Sequence, residues 1–164
     1  MKKLLFLFCL FSILHITTAC SNQDEPITTI EAAISQLTEE EFESVGTHEL
    51  KNPQIDDFKK FTFNVEVDNV AGQKVEFSFS DSWKDAIDSF DATDRYWFGG
   101  GSEQNNEGEN VASYVQEFVF YSKGLNNEVS MREALNTIIF EVSIDQIGEV
   151  VTEEYKVGDL IEFE

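Results

Sequence analysis

Cationic residues are scarce in this 164-residue chain: 11 Lys and Arg stand against 32 Asp and Glu, a formal net charge of −21. Such a surface repels phosphate backbones, which excludes nucleic acid as a partner, and it stands off anionic lipid surfaces instead of lying flat on them. Histidine, cysteine and proline are rarer still, with two of each. His15 and Cys9 lie in an apolar N-terminal run, so the rest of the chain offers only His48 and Cys20. A zinc site built on two histidines or on paired cysteines is thereby excluded, and so is a disulfide. His48 sits in an unpatterned connection and reads as an ordinary surface residue. The two prolines, Pro26 and Pro53, fall at junctions.

Sequence motifs for catalysis are missing as well. Gly99-Gly100-Gly101 has neither the trailing lysine of a phosphate loop nor the spacing of a dinucleotide fingerprint, and the chain has no nucleophile elbow. The expectation is a protein that is not an enzyme and holds no cofactor.

What is present begins with Met1-Lys2-Lys3 and the run Leu4 to Ile16, LLFLFCLFSILHI. A cationic patch followed by thirteen mostly apolar residues has the pattern of a secretory signal and is short for a bilayer span. Residues 1–19 are therefore expected to be removed. The leader carries Lys2 and Lys3 and no acidic residue, so its loss takes the net charge from −21 to −23.

The leader ends in Thr17-Thr18-Ala19-Cys20. A small residue directly before a cysteine resembles the lipobox of bacterial lipoproteins, in a relaxed form seen in Bacteroidota, with Thr17 where leucine is usual. The resemblance implies that Cys20 is acylated and becomes the new N-terminus. Ser21-Asn22-Gln23-Asp24-Glu25 is similar to the export signal of surface lipoproteins of Bacteroidota, which implies an anchor in the outer membrane and a domain facing outward. Residues 20–27 are then the acylated cysteine and its tether, and 28–164 one globular domain.

Within that domain, Thr28-Thr29-Ile30-Glu31 has the form of a capping box. Ile30, Ala33, Ile34 and Leu37 follow at helical spacing, which predicts an N-terminal helix. A second box, Thr38 to Glu41, continues it or starts another helix that Gly46 ends. From Lys60 the period becomes two: Phe61, Phe63, Val65 and Val67 point one way and Thr62, Asn64 and Glu66 the other. Val75, Phe77 and Phe79 resume the pattern, which predicts a β-hairpin. Ser80, Asp81 or Ser82 caps a short helix with Trp83, Ala86, Ile87 and Phe90 on one stripe. Arg95 to Phe98 read as a strand, residues 99–110 as a mobile loop, and Tyr114 to Tyr121 as a strand. Residues 130–135 read as a helical turn, 138–144 as a strand, and the last residues as a further strand. The fold class is α+β: an N-terminal helix, then a mainly antiparallel sheet of about six strands with one or two short inserted helices. The alternative is a β-sandwich with an appended helix.

Two sets of side chains are candidates for ligand contact. Trp83, Arg95, Tyr96 and Trp97 offer rings and a cation near the glycine run, with Trp97 expected to be exposed. Asp88, Asp91 and Asp94, at the end of the acidic series from Asp81 and Asp85, supply hard oxygens of the kind calcium takes, without the EF-hand spacing; the series reads mainly as a solvated helix face, and no metal is expected. The functional expectation is a lipid-anchored, non-catalytic, acidic interaction domain that contacts the membrane through its lipid and takes a basic protein. The alternative is a carbohydrate-binding lipoprotein that stacks a glycan on exposed aromatics.

Overall fold

The alternation from Phe58 to Asp68 produces the middle strand of the larger sheet, whose inward residues Phe61, Phe63, Val65 and Val67 are all buried. The structure, a computed structural model, describes residues 24–46, 50–105, 107–125, 127–146 and 148–164. The leader, Cys20, Ser21, Asn22, Gln23 and His48 lie outside the described residues. In chain order the elements are β1 (Ile27–Ser35), α1 (Glu39–Ser44), a 3-10 turn (Ile55–Asp57), β2 (Phe58–Asp68), β3 (Lys74–Phe79), α2 (Trp83–Ser89) and β4 (Tyr96–Gln104). They continue with β5 (Val111–Tyr121), α3 (Glu128–Leu135), β6 (Ile139–Gln146), β7 (Glu149–Lys156), α4 (Val157–Leu160) and β8 (Ile161–Phe163).

The strands form two sheets, β4-β5-β2-β1-β8 and β3-β6-β7, antiparallel throughout except for the β1–β8 pair. Aromatic rings join them. Phe63 of β2 meets Phe140 of β6 edge-on at 5.1 Å and Phe79 of β3 at 6.1 Å, while Trp83 of α2 packs against Phe61 at 5.2 Å and Phe79 at 5.0 Å. Each fully buried phenylalanine contributes roughly 2–3 kcal/mol of hydrophobic stabilisation. The protein is thus mainly β, with short helices at the margins of two packed sheets.

The N-terminal helix is not formed. Residues 27–35 are a strand paired along its whole length with β2, from Ile27 opposite Asp68 to Ser35 opposite Lys60. Ile30, Ala32 and Ile34 share one face at period two as readily as Ile30 and Ile34 share a helical stripe. The β-branched Ile27, Thr28, Thr29, Ile30 and Ile34 favour the extended form, and β2 needs a second neighbour. The second capping box is real: Thr38 Oγ1 accepts from Glu41 N at 3.2 Å, Glu41 Oε2 accepts from Thr38 N at 2.7 Å, and α1 ends at Ser44, just before Gly46.

The predicted hairpin also gives way. β2 and β3 are both strands, but β2 pairs with β1 and β5 whereas β3 pairs with β6 in the other sheet. The turn between them uses left-handed Asn69 (φ 62°) and Gly72 (φ 77°), and Gly72 N donates to Glu107 O at 2.8 Å. Crossing to the second sheet lets Phe79 cover Phe63 from across the gap between the sheets. The expected strand at the end of the sequence is formed as β8; just before it Gly158 lies in α4, where an added Cβ would lie 2.3 Å from Arg132 O.

Residues 99–110 are not wholly a loop, because β4 runs through Gly99, Gly100 and Gly101 to Gln104. A Cβ on Gly99 would lie 2.3 Å from Phe118 Cβ and 2.4 Å from Glu117 O, and one on Gly101 2.6 Å from Val115 O. Glycine at these two positions lets β4 lie tightly against β5, whereas Gly100 meets nothing within 4 Å. Gly99→Ala and Gly101→Ala are expected to cost about 1–3 kcal/mol each, the range for overpacking a close contact, while Gly100→Ala leaves stability unchanged or slightly raised. Urea unfolding of the three variants measures this, and equal losses at all three positions would contradict the packing argument.

Candidate functional site

The side chains singled out in the sequence serve mainly to build the fold. Trp83 is 9% exposed and sits among Phe61, Phe63, Phe79 and Phe118. Its Nε1 donates to Tyr114 Oη at 3.3 Å, and Tyr114 Oη donates to Gln116 Oε1 at 3.1 Å. Burial pushes the Tyr114 phenol above its ordinary pKa. Tyr96 packs on Phe118 at 5.1 Å. Trp97 is half-buried, not an open ring: it lies edge-on to Phe58 at 5.5 Å and its Nε1 donates to Gly46 O at 3.2 Å. A register shift between Tyr96 and Phe98 breaks the expected alternation, so that Phe98, 44% exposed, is the open ring.

Arg95 is no surface cation either, being 2% exposed. Its Nε and Nη2 donate to the two oxygens of Asp91 at 3.0 and 2.6 Å, and its Nη1 donates to Tyr121 O at 2.7 Å and Lys123 O at 3.1 Å. A buried guanidinium is tolerated because each of its three nitrogens finds an acceptor. Asp88 Oδ1 accepts from the backbone N–H of Arg95 at 2.6 Å and of Tyr96 at 2.7 Å. Burial raises the Asp88 carboxyl, but Lys84 and those two amides outweigh it and hold it below the ordinary carboxylate range. Arg95 holds Asp91 below that range too. The chain thus uses Asp88, Asp91 and Arg95 together as the corner between α2 and β4. Asp94 is exposed beside them, and no metal-binding cluster occurs among the described residues. A stacking platform of Trp83, Tyr96 and Trp97 is not formed among the described residues.

One surface that remains open is the outer face of the larger sheet, which follows from strand register. Thr29, Glu66, Ser113 and Gln104 form one row across it, Glu31, Asn64, Val115 and Ser102 the next, and Glu162, Ala33, Thr62, Glu117 and Gly100 the third. The fourth row, Ser35, Lys60, Val119 and Phe98, is where α1 and the following connection cross. There Leu37, Val45, Phe58 and Val119 make a small second core with Phe42 and Trp97 packed against it. Short side chains in the open rows leave two depressions, of about 450 Å³ and about 320 Å³, which share Glu31 and Asn64. Glu162 and Glu164 rim the first and Glu66 the second.

Carboxylates dominate this face. Its lysine, Lys60, lies 2.5 Å from Glu41, which leaves it no free charge to offer. Lys60 and the Thr38 amide bring the Glu41 carboxyl down from 4.5 to about 2. The arrangement can attract and hold cationic groups; it supplies no nucleophile with an adjacent base. A third depression, about 430 Å³, is lined by Lys59, Lys123, Asp56 and Asp57 and mixes both signs, with Lys123 paired to Asp57 at 3.2 Å.

The residues of the open face were visible in the sequence only as the polar half of an alternation, Thr62, Asn64 and Glu66. That half became informative once β1 and β8 were known to extend the same face. The chain matches no protein-family model and no curated protein.

Because Glu41 has a lower pKa folded than unfolded, its pairing stabilises the protein fully above about pH 4.5, and the contribution fades as pH falls toward 2. Glu41→Gln is expected to cost about 1 kcal/mol at pH 6, a modest value because the pair is partly solvated, and nothing near pH 2. Chemical unfolding of both proteins across that range measures the difference, and a gap that does not shrink with acid would contradict the assignment.

Proposed function

We propose that the protein is a lipid-anchored, non-catalytic interaction module of the outer membrane, held at Cys20 with its domain facing outward, and that it takes a basic protein on the outer face of its larger sheet. The observation that carries the binding part is the open face itself. Glu31, Glu66, Glu117 and Glu162 are arrayed over short neighbours, and the nearby Lys60 is already neutralised by Glu41. Fixed carboxylates around a shallow depression raise the local concentration of cations and steer a basic protein toward it. The anchor rests on Thr17-Thr18-Ala19-Cys20 and on the acidic tract that follows. Asp24 and Glu25 are exposed, and Asn69 Nδ2 donates to Glu25 O at 3.2 Å, so the tether meets the domain at the end of β2.

Protease treatment of intact cells tests the address. The native protein should be cleaved from outside. Cys20→Ala should take up no palmitate and leave the membrane fraction, and Asp24→Asn with Glu25→Gln should become protected. Protection of the native protein would remove the outward-facing part of the reading.

The binding face is tested with poly-L-lysine. The triple change Glu31→Gln, Glu66→Gln and Glu162→Gln should weaken binding at least tenfold at 150 mM salt. Neutralising Glu76, Glu141 and Glu154 on the other sheet removes the same charge and should change binding less than threefold. Equal losses would mean that net charge, and not this face, attracts the cation.

A further inference from the structure

β4 is the outermost strand of the larger sheet and pairs with β5 alone. The smaller sheet stops short of it: β3 lies over β5, with Phe77 and Phe79 at 6.2 and 5.0 Å from Tyr114. β4 therefore overhangs, and every residue from Phe98 to Gln104 is exposed, on both faces of the strand. An unpaired edge presents a row of N–H and C=O groups, and proteins that must not pair there block it with proline, lysine, a bulge or a covering segment. Phe98 to Gln104 contain no proline and no lysine, and the one irregularity in register comes before them.

Gly100 adds an independent sign. Gly99 and Gly101 are required by their contacts with β5, but Gly100 has open space around its missing Cβ and a backbone outside the left-handed region. A glycine in a strand interior weakens it, and where no bulge or bend calls for it, it is often found where another backbone or a ligand approaches closely. The sign of the charge then selects the partner. Glu103 lies in the strand and Glu117 sits opposite Gly100, while the cations of the adjoining corner, Arg95 and Lys84, are held by Asp91 and Asp88. A second copy would bring the same acidic edge and a net charge of −21, which opposes self-pairing.

We propose that the free edge of β4 captures an extended, lysine- or arginine-rich segment of a partner protein as an added strand. The proposal rests on the reading of the outer face as a surface for basic proteins, and it adds the mode of capture. Main-chain hydrogen bonds to Phe98–Gln104 supply the affinity. Side chains at alternate positions of the added strand share a face, so its basic residues reach Glu117 on the outer face in one register and Glu103 on the other face in the other.

The probe is an eight-residue capped peptide alternating lysine with threonine, added to the full-length chain in detergent. Amide hydrogen exchange should slow at least tenfold at alternate residues of 98–104. N-methylating the peptide in the register that faces the edge should weaken binding at least tenfold, and replacing its lysines with glutamates should abolish it. Ser102→Lys should weaken binding at least tenfold with the melting temperature unchanged. Binding that survives N-methylation in either register, with resonance shifts at Glu31, Asn64 and Glu66 and none in β4, overturns edge capture and leaves the acidic face standing. Equal binding of the glutamate peptide overturns the assigned charge, and exchange protection that appears with protein concentration alone assigns the edge to a second copy. Absence of any binding overturns both the edge and the face.

Discussion

Everything in this protein depends on aromatic contact between two sheets that no side-chain cross-link joins among the described residues. Phe63 stands at the centre, against Phe140 and Phe79 across the gap and Trp83 beside it. The described residues include no cysteine, and their helices are at most eight residues long. Large rings bury much apolar surface with few rotatable bonds, so they hold the sheets together at small entropic cost. The phenylalanines on alternate positions of β2, β3 and β5, together with Phe140 of β6, are one interface distributed over four strands.

That interface works against the charge. A net charge of −21 on a domain of this size favours expansion through self-repulsion, and few of the carboxylates are relieved by a nearby cation. Several of the exceptions are placed where the chain changes direction. Asp91 with Arg95 and Asp88 with two backbone amides shape the corner into β4, and Glu41 with Lys60 ties α1 to the sheet. The remaining carboxylates stay solvated, and on the outer face of the larger sheet they gather around short side chains.

The same division runs through the glycine strand. Gly99 and Gly101 belong to packing and Gly100 does not. Together they make an edge strand that extends past the smaller sheet and bears only one charged side chain, Glu103. An edge of that kind is a liability unless something is meant to pair with it, and the acidic surroundings determine which partners can approach.

Local pattern by itself determined the strands at β2, β3, β5 and β6, the capping of α1 and α2, and the acidic character of the surface, because period, propensity and charge are properties of neighbouring residues. The motif around Cys20 also needs no fold to be read. Only tertiary structure decided that residues 27–35 are a strand, since Ile30 and Ile34 satisfy both periods and pairing with β2 breaks the tie. It alone separated β2 from β3, because which sheet a strand joins depends on what covers its apolar face. It buried Arg95 and half-buried Trp97, since a shift in register at Trp97 undoes an alternation that sequence can only assume. The open face is tertiary in the same sense: Glu31, Glu66, Glu117 and Glu162 are far apart in the chain, and strand order brings them onto one surface.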